Sequence, residues 1–173
     1  MIILGIDPGL ANTGWGIIET RKGQYRAHAY GCIQTSKDTD LAWRLKQIYD
    51  DINQIIEKYQ PQEVAIEKIF FGENAKSAMA TGQARGAALV ATAGCGLKTG
   101  EYTPLQIKQA VAGHGRAEKQ QVQFMVQSLL KLDHIPQPDH CADALAAAIT
   151  HAHLSRYHQI ERDYKSLKIQ LRG

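Results

Sequence analysis

The sequence predicts an α/β domain: a five-stranded mixed sheet flanked by helices. Three observations carry this. Three short apolar runs open the chain with only tight turns between them. Helical periodicity then alternates with two further short strands, and Gly and Pro punctuate the joints. A meander followed by alternating helices and strands mixes antiparallel and parallel pairs in one sheet, with the helices covering its faces.

Each element follows in order. Ile2 to Ile6 reads as a buried strand that delivers Asp7 to its C-terminal end, just before a Pro8-Gly9 turn. Gly14 to Thr20 is the second strand, Arg21 to Gln24 a turn, and Tyr25 to Ile33 the third strand. Leu41, Leu45, Ile48, Ile52, Ile55 and Tyr59 recur at helical spacing, with the charges mostly off that stripe. Asp38 or Asp40 is placed to cap this helix, and Pro61 lies beyond its end. Glu63 to Glu67 is a short strand that again ends on a carboxylate. Asn74 to Gly94 is Ala-rich and helical, and Leu97 to Tyr102 is the fifth strand. Pro104 to Val111 is a short helix and residues 113–116, GHGR, a turn. Ala117 to Lys131 is amphipathic, with Val122, Met125, Val126, Leu129 and Leu130 inward. The last strong helix runs from Asp139 to His153, with Ala142, Leu145, Ala146 and Ile149 as its apolar stripe.

The length of 173 residues matches about one domain. That excludes a mechanism in which two large domains close on a ligand. Residues 1–154 form the expected domain, and the polar tail over 155–173 is expected to fray or stay disordered. A hydrophobic fraction of 44% against 21% charged residues excludes disorder over most of the chain. The net charge of +3 is compatible with a nucleic-acid partner. The longest apolar uncharged stretch, Gly86 to Leu97, is 12 residues, against about 20 for a membrane span. The N-terminus meets an aspartate at position 7 without a basic flank, so no signal peptide is expected. Cys32, Cys95 and Cys141 are odd in number and scattered. They suit a reducing compartment, and the expected location is cytoplasmic.

Asp7 and Glu67 both end strands. If those strands are parallel neighbours, both carboxylates emerge at one rim, where α/β sheets gather ligands. Such a pair outlines a divalent-cation site. By spacing alone, Asp7 reads equally as a turn cap and Glu67 as a solvated strand end. Asp139, His140 and Asp143 share a helical face, but acids in a first helical turn also suit the macrodipole. The stretch GIDPGLANTG is similar to the phosphate loop that opens actin-like ATPases, but that fold needs a second half that 173 residues cannot supply.

Five segments together resemble the RuvC family of Holliday junction resolvases. They are ILGIDPGLANTGWG at 3–16, AIEKIFF at 65–71, NAKSAMATGQARGAAL at 74–89, QIKQAVAGHGRAEKQQV at 106–122 and PDHCADALAAAITHAH at 138–153. Their order and separations make the likeness specific, and it runs from Met1 to about His153. It implies a ribonuclease H-like fold, in agreement with the element order. It implies that Asp7, Glu67, His140 and Asp143 bind metal, with histidine at a corner where many members carry aspartate. Asp139, one residue away, is the alternative ligand.

The resemblance further implies hydrolysis of a DNA phosphodiester with two Mg²⁺ ions per site. Asp7 would bridge them, Asp143 and His140 would serve the ion that activates water, and Glu67 the ion at the leaving oxygen. Products would carry 5′-phosphate and 3′-hydroxyl ends. Imidazole suits softer ions, so Mn²⁺ is expected to support activity at least as well as Mg²⁺. Lys119 aligns with a family lysine at the scissile phosphate and is expected to be catalytic and to touch DNA. Lys108, Arg116 and His114 would extend a phosphate-binding patch. Phe70, with Phe71 as second choice, would stack on opened bases. Asn74, Ser77 and Arg85 are further DNA-binding candidates. The family works as a homodimer on a four-way DNA junction and implies a RuvA–RuvB branch-migration partner. Two other classes share these features: a module that binds junctions without cutting, and a nuclease acting on another branched nucleic acid. Loss of Asp7, Glu67 or Asp143 would mark the first, and all three are present.

Overall fold

The computed structural model describes the backbone of residues 1–68 and 75–170 and the side chains of 1–68 and 78–155. The strands are β1 (Ile2–Asp7), β2 (Asn12–Arg21), β3 (Gln24–Gln34), β4 (Glu63–Glu67) and β5 (Lys98–Tyr102). Between and after them come α1 (Leu41–Tyr59), α2 (Ala75–Gly94), α3 (Pro104–Ala112), α4 (Lys119–Leu130) and α5 (Asp139–Gln170). The order is the one that the sequence predicts. The main difference is at α5, whose apolar stripe ends near His153 while the helix continues to Gln170. No Gly or Pro interrupts 155–170, so the backbone has no stop signal there even though the core-facing stripe is gone.

The sheet order is β3-β2-β1-β4-β5. β1 pairs antiparallel with β2 and parallel with β4, and β4 pairs parallel with β5. Side chains alternate across the sheet. Ile3, Ile18 and Ala65 face α3, α4 and α5, where Leu145, Ile149, Val122 and Val126 complete one core. Leu4, Ile6, Ile17 and Ile66 face α1 and α2, where Ile48, Ile52, Ala84 and Ala88 complete the other.

The close seating of α5 on β1 and β2 needs glycine. A Cβ on Gly5 would overlap the Ala144 carbonyl, and one on Gly14 would overlap the His140 carbonyl. Gly16 likewise leaves room for the Leu145 side chain. Glycine inside a strand marks this kind of approach by another backbone.

Local capping is mixed. Asp40 occupies the N-cap of α1 without a side-chain cap bond, so the expected aspartate cap is not made, and Leu41 at the start of the apolar stripe is exposed. The first-turn amides of Trp43 and Arg44 reach the Asp40 carbonyl instead. Thr103 caps α3 in a reciprocal box with Gln106 and with Pro104 at the first turn. Gly113 ends α3 in the left-handed conformation, at φ 82°. Among the described residues, no helix is long and apolar enough to cross a membrane.

Candidate active site

Parallel pairing of β1 with β4 sets Ile6 opposite Ile66, so the next residues, Asp7 and Glu67, leave the sheet at the same rim. The N-terminal turn of α5 crosses that rim. It brings His140 Nδ1 to 2.7 Å from Asp7 Oδ2. Ligand atoms of Asp7, His140 and Asp143 all lie within 4.8 Å of one another. Glu67 stands close enough to Asp7 for the Asp7 charge to act on its protonation, and it lines a cleft with Asp143, Lys119, Lys108, Pro104 and Ile107.

The electrostatics follow from crowding like charges in a partly buried place. Burial, then the charges of Asp7 and Asp143, push the Glu67 carboxyl up to about 7. Burial and Asp7 also raise Asp143, against the pull of Lys119 and His140. The hydrogen bond to Asp7 raises His140 and outweighs its burial. Lys119 is raised too, because Asp143 and Asp139 outweigh the opposing effect of burial. Lys119 Nζ stands 3.1 Å from Asp139 Oδ2 and 3.2 Å from Asp143 Oδ2.

The structure therefore brings Asp7, Glu67, His140, Asp143 and Lys119 together. It separates His140 from Asp139. The imidazole turns to Asp7, whereas Asp139 turns to Lys119. The wider basic patch divides. Lys108 lines the acidic cleft, but His114 lines a different one with Gln120, Gln121, Phe124 and Met125. Arg116 is exposed on the turn between α3 and α4. Arg85 pairs with Glu101 on β5. Phe70, Phe71 and Asn74 lie outside the described residues. Ser77 is in the first turns of α2, with its side chain outside them.

Gly5, Gly14 and Gly16 are site-forming residues that side-chain chemistry did not flag. The available signal was a run of glycines inside otherwise strand-like sequence. A second missed group lies further along α5. His151 Nε2 is 2.5 Å from Glu63 Oε2, and Tyr102 Oη is 2.8 Å from His151 Nδ1. These contacts pin α5 to the start of β4 and the end of β5.

The donor set fits divalent cations. The carboxyls of Asp7 and Asp143 and the imidazole of His140 converge, Glu67 stands beside them, and Lys119 pairs with Asp143. Raised carboxyls mean that anionic charge is in excess, a state that bound cations relieve.

A family model described as "Crossover junction endodeoxyribonuclease RuvC" matches residues 3–151. A relative of that name from Desulforamulus reducens is 54% identical over 155 residues, which cover 90% of this chain and 95% of the relative. One from Moorella thermoacetica is 53% identical, covering 94% of this chain and 98% of the relative. Among solved structures, Thermus thermophilus RuvC is similar with a TM-score of 0.85 at 37% identity, covering 91% of this chain and 97% of that one. A Thermus thermophilus RuvC in complex with Holliday junction substrate is similar with a TM-score of 0.88 at 36% identity, covering 91% and 96%. With the fold, the acidic rim and a match spanning nearly all of the sheet and its helices in agreement, this chain belongs to the RuvC family of crossover junction endodeoxyribonucleases.

Proposed function

We propose that this chain is a metal-dependent endonuclease that cuts four-way DNA junctions by paired, symmetric nicks, leaving 5′-phosphate and 3′-hydroxyl ends. The observation that carries the reading is the convergence of Asp7, Glu67, His140 and Asp143 from β1, β4 and α5 on one rim. These four residues would hold two divalent cations, Mg²⁺ or Mn²⁺. When bound there, such cations would activate water and offset charge at the attacking and leaving oxygens of an in-line displacement.

The protein groups have distinct tasks. Asp7 contacts His140 and is near enough to Glu67 to raise its pKa, so it would be suited to serve both cations. Glu67 must release its proton to become a ligand, and its raised pKa leaves it partly protonated near neutral pH, so a bound cation would have to displace that proton. His140 must be neutral at the nitrogen that binds. Lys119 presents an ammonium at the edge of the cluster, suited to the charge of a phosphoryl oxygen. Lys108, in the same cleft, is suited to a neighbouring phosphate, and Arg116 to one further out.

Symmetric nicking of a two-fold junction calls for two copies of the site, so a C2 homodimer is part of the reading. Phe70 and Phe71 remain the proposed stacking residues, with Asn74, Ser77, Arg85 and His114 as secondary DNA contacts. A cytoplasmic role in recombination and DNA repair, with RuvA–RuvB as branch-migration partner, completes it.

The test is a nicking assay on a mobile four-way junction, each strand labelled in turn, with Mg²⁺ or Mn²⁺. Paired, ligatable nicks that vanish in Asp7→Asn are the expected result. Tight junction binding by both proteins without a nick under either metal would overturn the nuclease reading in favour of a binding module.

A further inference from the structure

Asp139 begins α5 beside the site, yet its carboxylate is turned away from Asp7. Its Oδ2 is 3.1 Å from Lys119 Nζ, while Asp143 Oδ2 is 3.2 Å from the same nitrogen. Residues four apart on a helix share a face, so two carboxylates of α5 grip one ammonium from the first turn of α4. Gln123 stands one turn beyond Lys119 on α4 and is 7% exposed. Among the described residues, its Nε2 meets hydrogen-bond geometry with no group.

A lysine on a surface helix ordinarily keeps its ammonium mobile and hydrated. Lys119 is 53% exposed and has that freedom open to it. Asp143 has a second demand on it, because it belongs to the acidic cluster with Asp7 and His140. Asp139 has no such demand.

We propose that Asp139 is a positioning residue for Lys119. It holds Nζ beside the reacting centre and keeps that ammonium from acting as a loose phosphate-binding charge. The inference rests on the nuclease reading above. It makes a specific statement about division of labour: anchored, Lys119 serves turnover; released, it serves affinity.

Asp139→Asn, Asp139→Glu, Lys119→Ala and the double variant Asp139→Asn/Lys119→Ala decide it. Junction binding is measured first without metal, in EDTA, against salt concentration. Asp139→Asn is expected to bind more tightly than the wild type, with a salt slope steeper by about one phosphate contact. The double variant is expected to lose that gain. In Mg²⁺, at saturating junction, Asp139→Asn is expected to turn over about tenfold more slowly, as a misplaced group does. Asp139→Glu is expected to recover most of the rate, and the double variant to be no slower than Lys119→Ala alone. Thermal stabilisation by Mg²⁺ should be unchanged in Asp139→Asn. An unchanged salt slope, a slower double variant, or loss of Mg²⁺ stabilisation would each overturn the anchor, the last by making Asp139 a metal ligand. If the wild type nicks no junction, the nuclease reading fails by itself. The metal-free binding comparison still decides the anchor in that case.

Discussion

Gly14 on β2 lies so close beneath His140 on α5 that a single methyl group on Gly14 would overlap the His140 carbonyl. The site depends on this approach. His140 and Asp143 reach Asp7 because the first turns of α5 rest on bare backbone. Any lift of the helix moves two of the four candidate ligands together.

Gly14→Ala should therefore abolish most activity while leaving every proposed ligand in place. Relief of the overlap is expected to cost about 1–3 kcal/mol of stability and to lower the nicking rate by about a hundredfold. Gly86 in α2 is the contrast, since a Cβ there meets nothing within 4 Å. Gly86→Ala should stabilise by about 0.5–1 kcal/mol, as expected for a helix interior. Thermal unfolding of both variants, with nicking rates for the first, checks the pair.

The metal-free protein should lose stability as pH rises. Glu67 is raised from 4.5 to about 7, so its contribution is full below pH 4.5 and is lost as pH passes through about 7. His140 and Asp143 are also raised and act in the same direction. In EDTA, Glu67→Gln should gain stability over the wild type by about 2–3 kcal/mol at pH 8 and by little at pH 4.5. Metal must displace these protons, so the rise in Tm caused by Mg²⁺ or Mn²⁺ should be larger at pH 8 than at pH 5.5. Denaturant titration and calorimetry at the two pH values test both statements.

His140 is expected to set metal preference. His140→Asp should remain active, because an oxygen ligand at that corner still completes the set. The ratio of Mn²⁺-supported to Mg²⁺-supported nicking should fall in this variant, since imidazole favours the softer ion and carboxylate the harder one. An inactive His140→Asp together with an inactive, metal-insensitive Asp139→Ala would transfer the ligand role to Asp139.

Lys108 lines the acidic cleft without belonging to its ligand cluster. Lys108→Ala should weaken junction binding evenly across sequences and reduce the salt slope by about one. Fluorescence anisotropy over a salt series reads this directly. An unchanged slope would remove Lys108 from the DNA surface.

Much of the fold was legible because its cues are local. The α1 stripe predicts a helix ending at Tyr59, and EVAIE predicts a strand over Glu63–Glu67; the structure has both. Asp7 and Glu67 stood out because each ends a short apolar strand. Their meeting required β1 and β4 to be parallel neighbours, a long-range pairing that no local signal specifies. The cluster of Lys108, His114 and Arg116 shows the opposite limit. Close in sequence, Lys108 and His114 line different clefts, because the Gly113 turn sends the chain to a new face between α3 and α4.

By itself, the sequence determined the order of strands and helices, the residue types able to hold a cation, and the strand ends that carry two of them. Only the tertiary structure shows that His140, and not Asp139, stands against Asp7. Adjacent helical residues point about 100° apart, so the choice turns on how α5 is rotated and how low it sits over β1 and β2. Gly5, Gly14 and Gly16 set that height, and the His151 contact with Glu63 pins the helix further along. In that seating the imidazole faces Asp7 and the carboxylate of Asp139 faces Lys119.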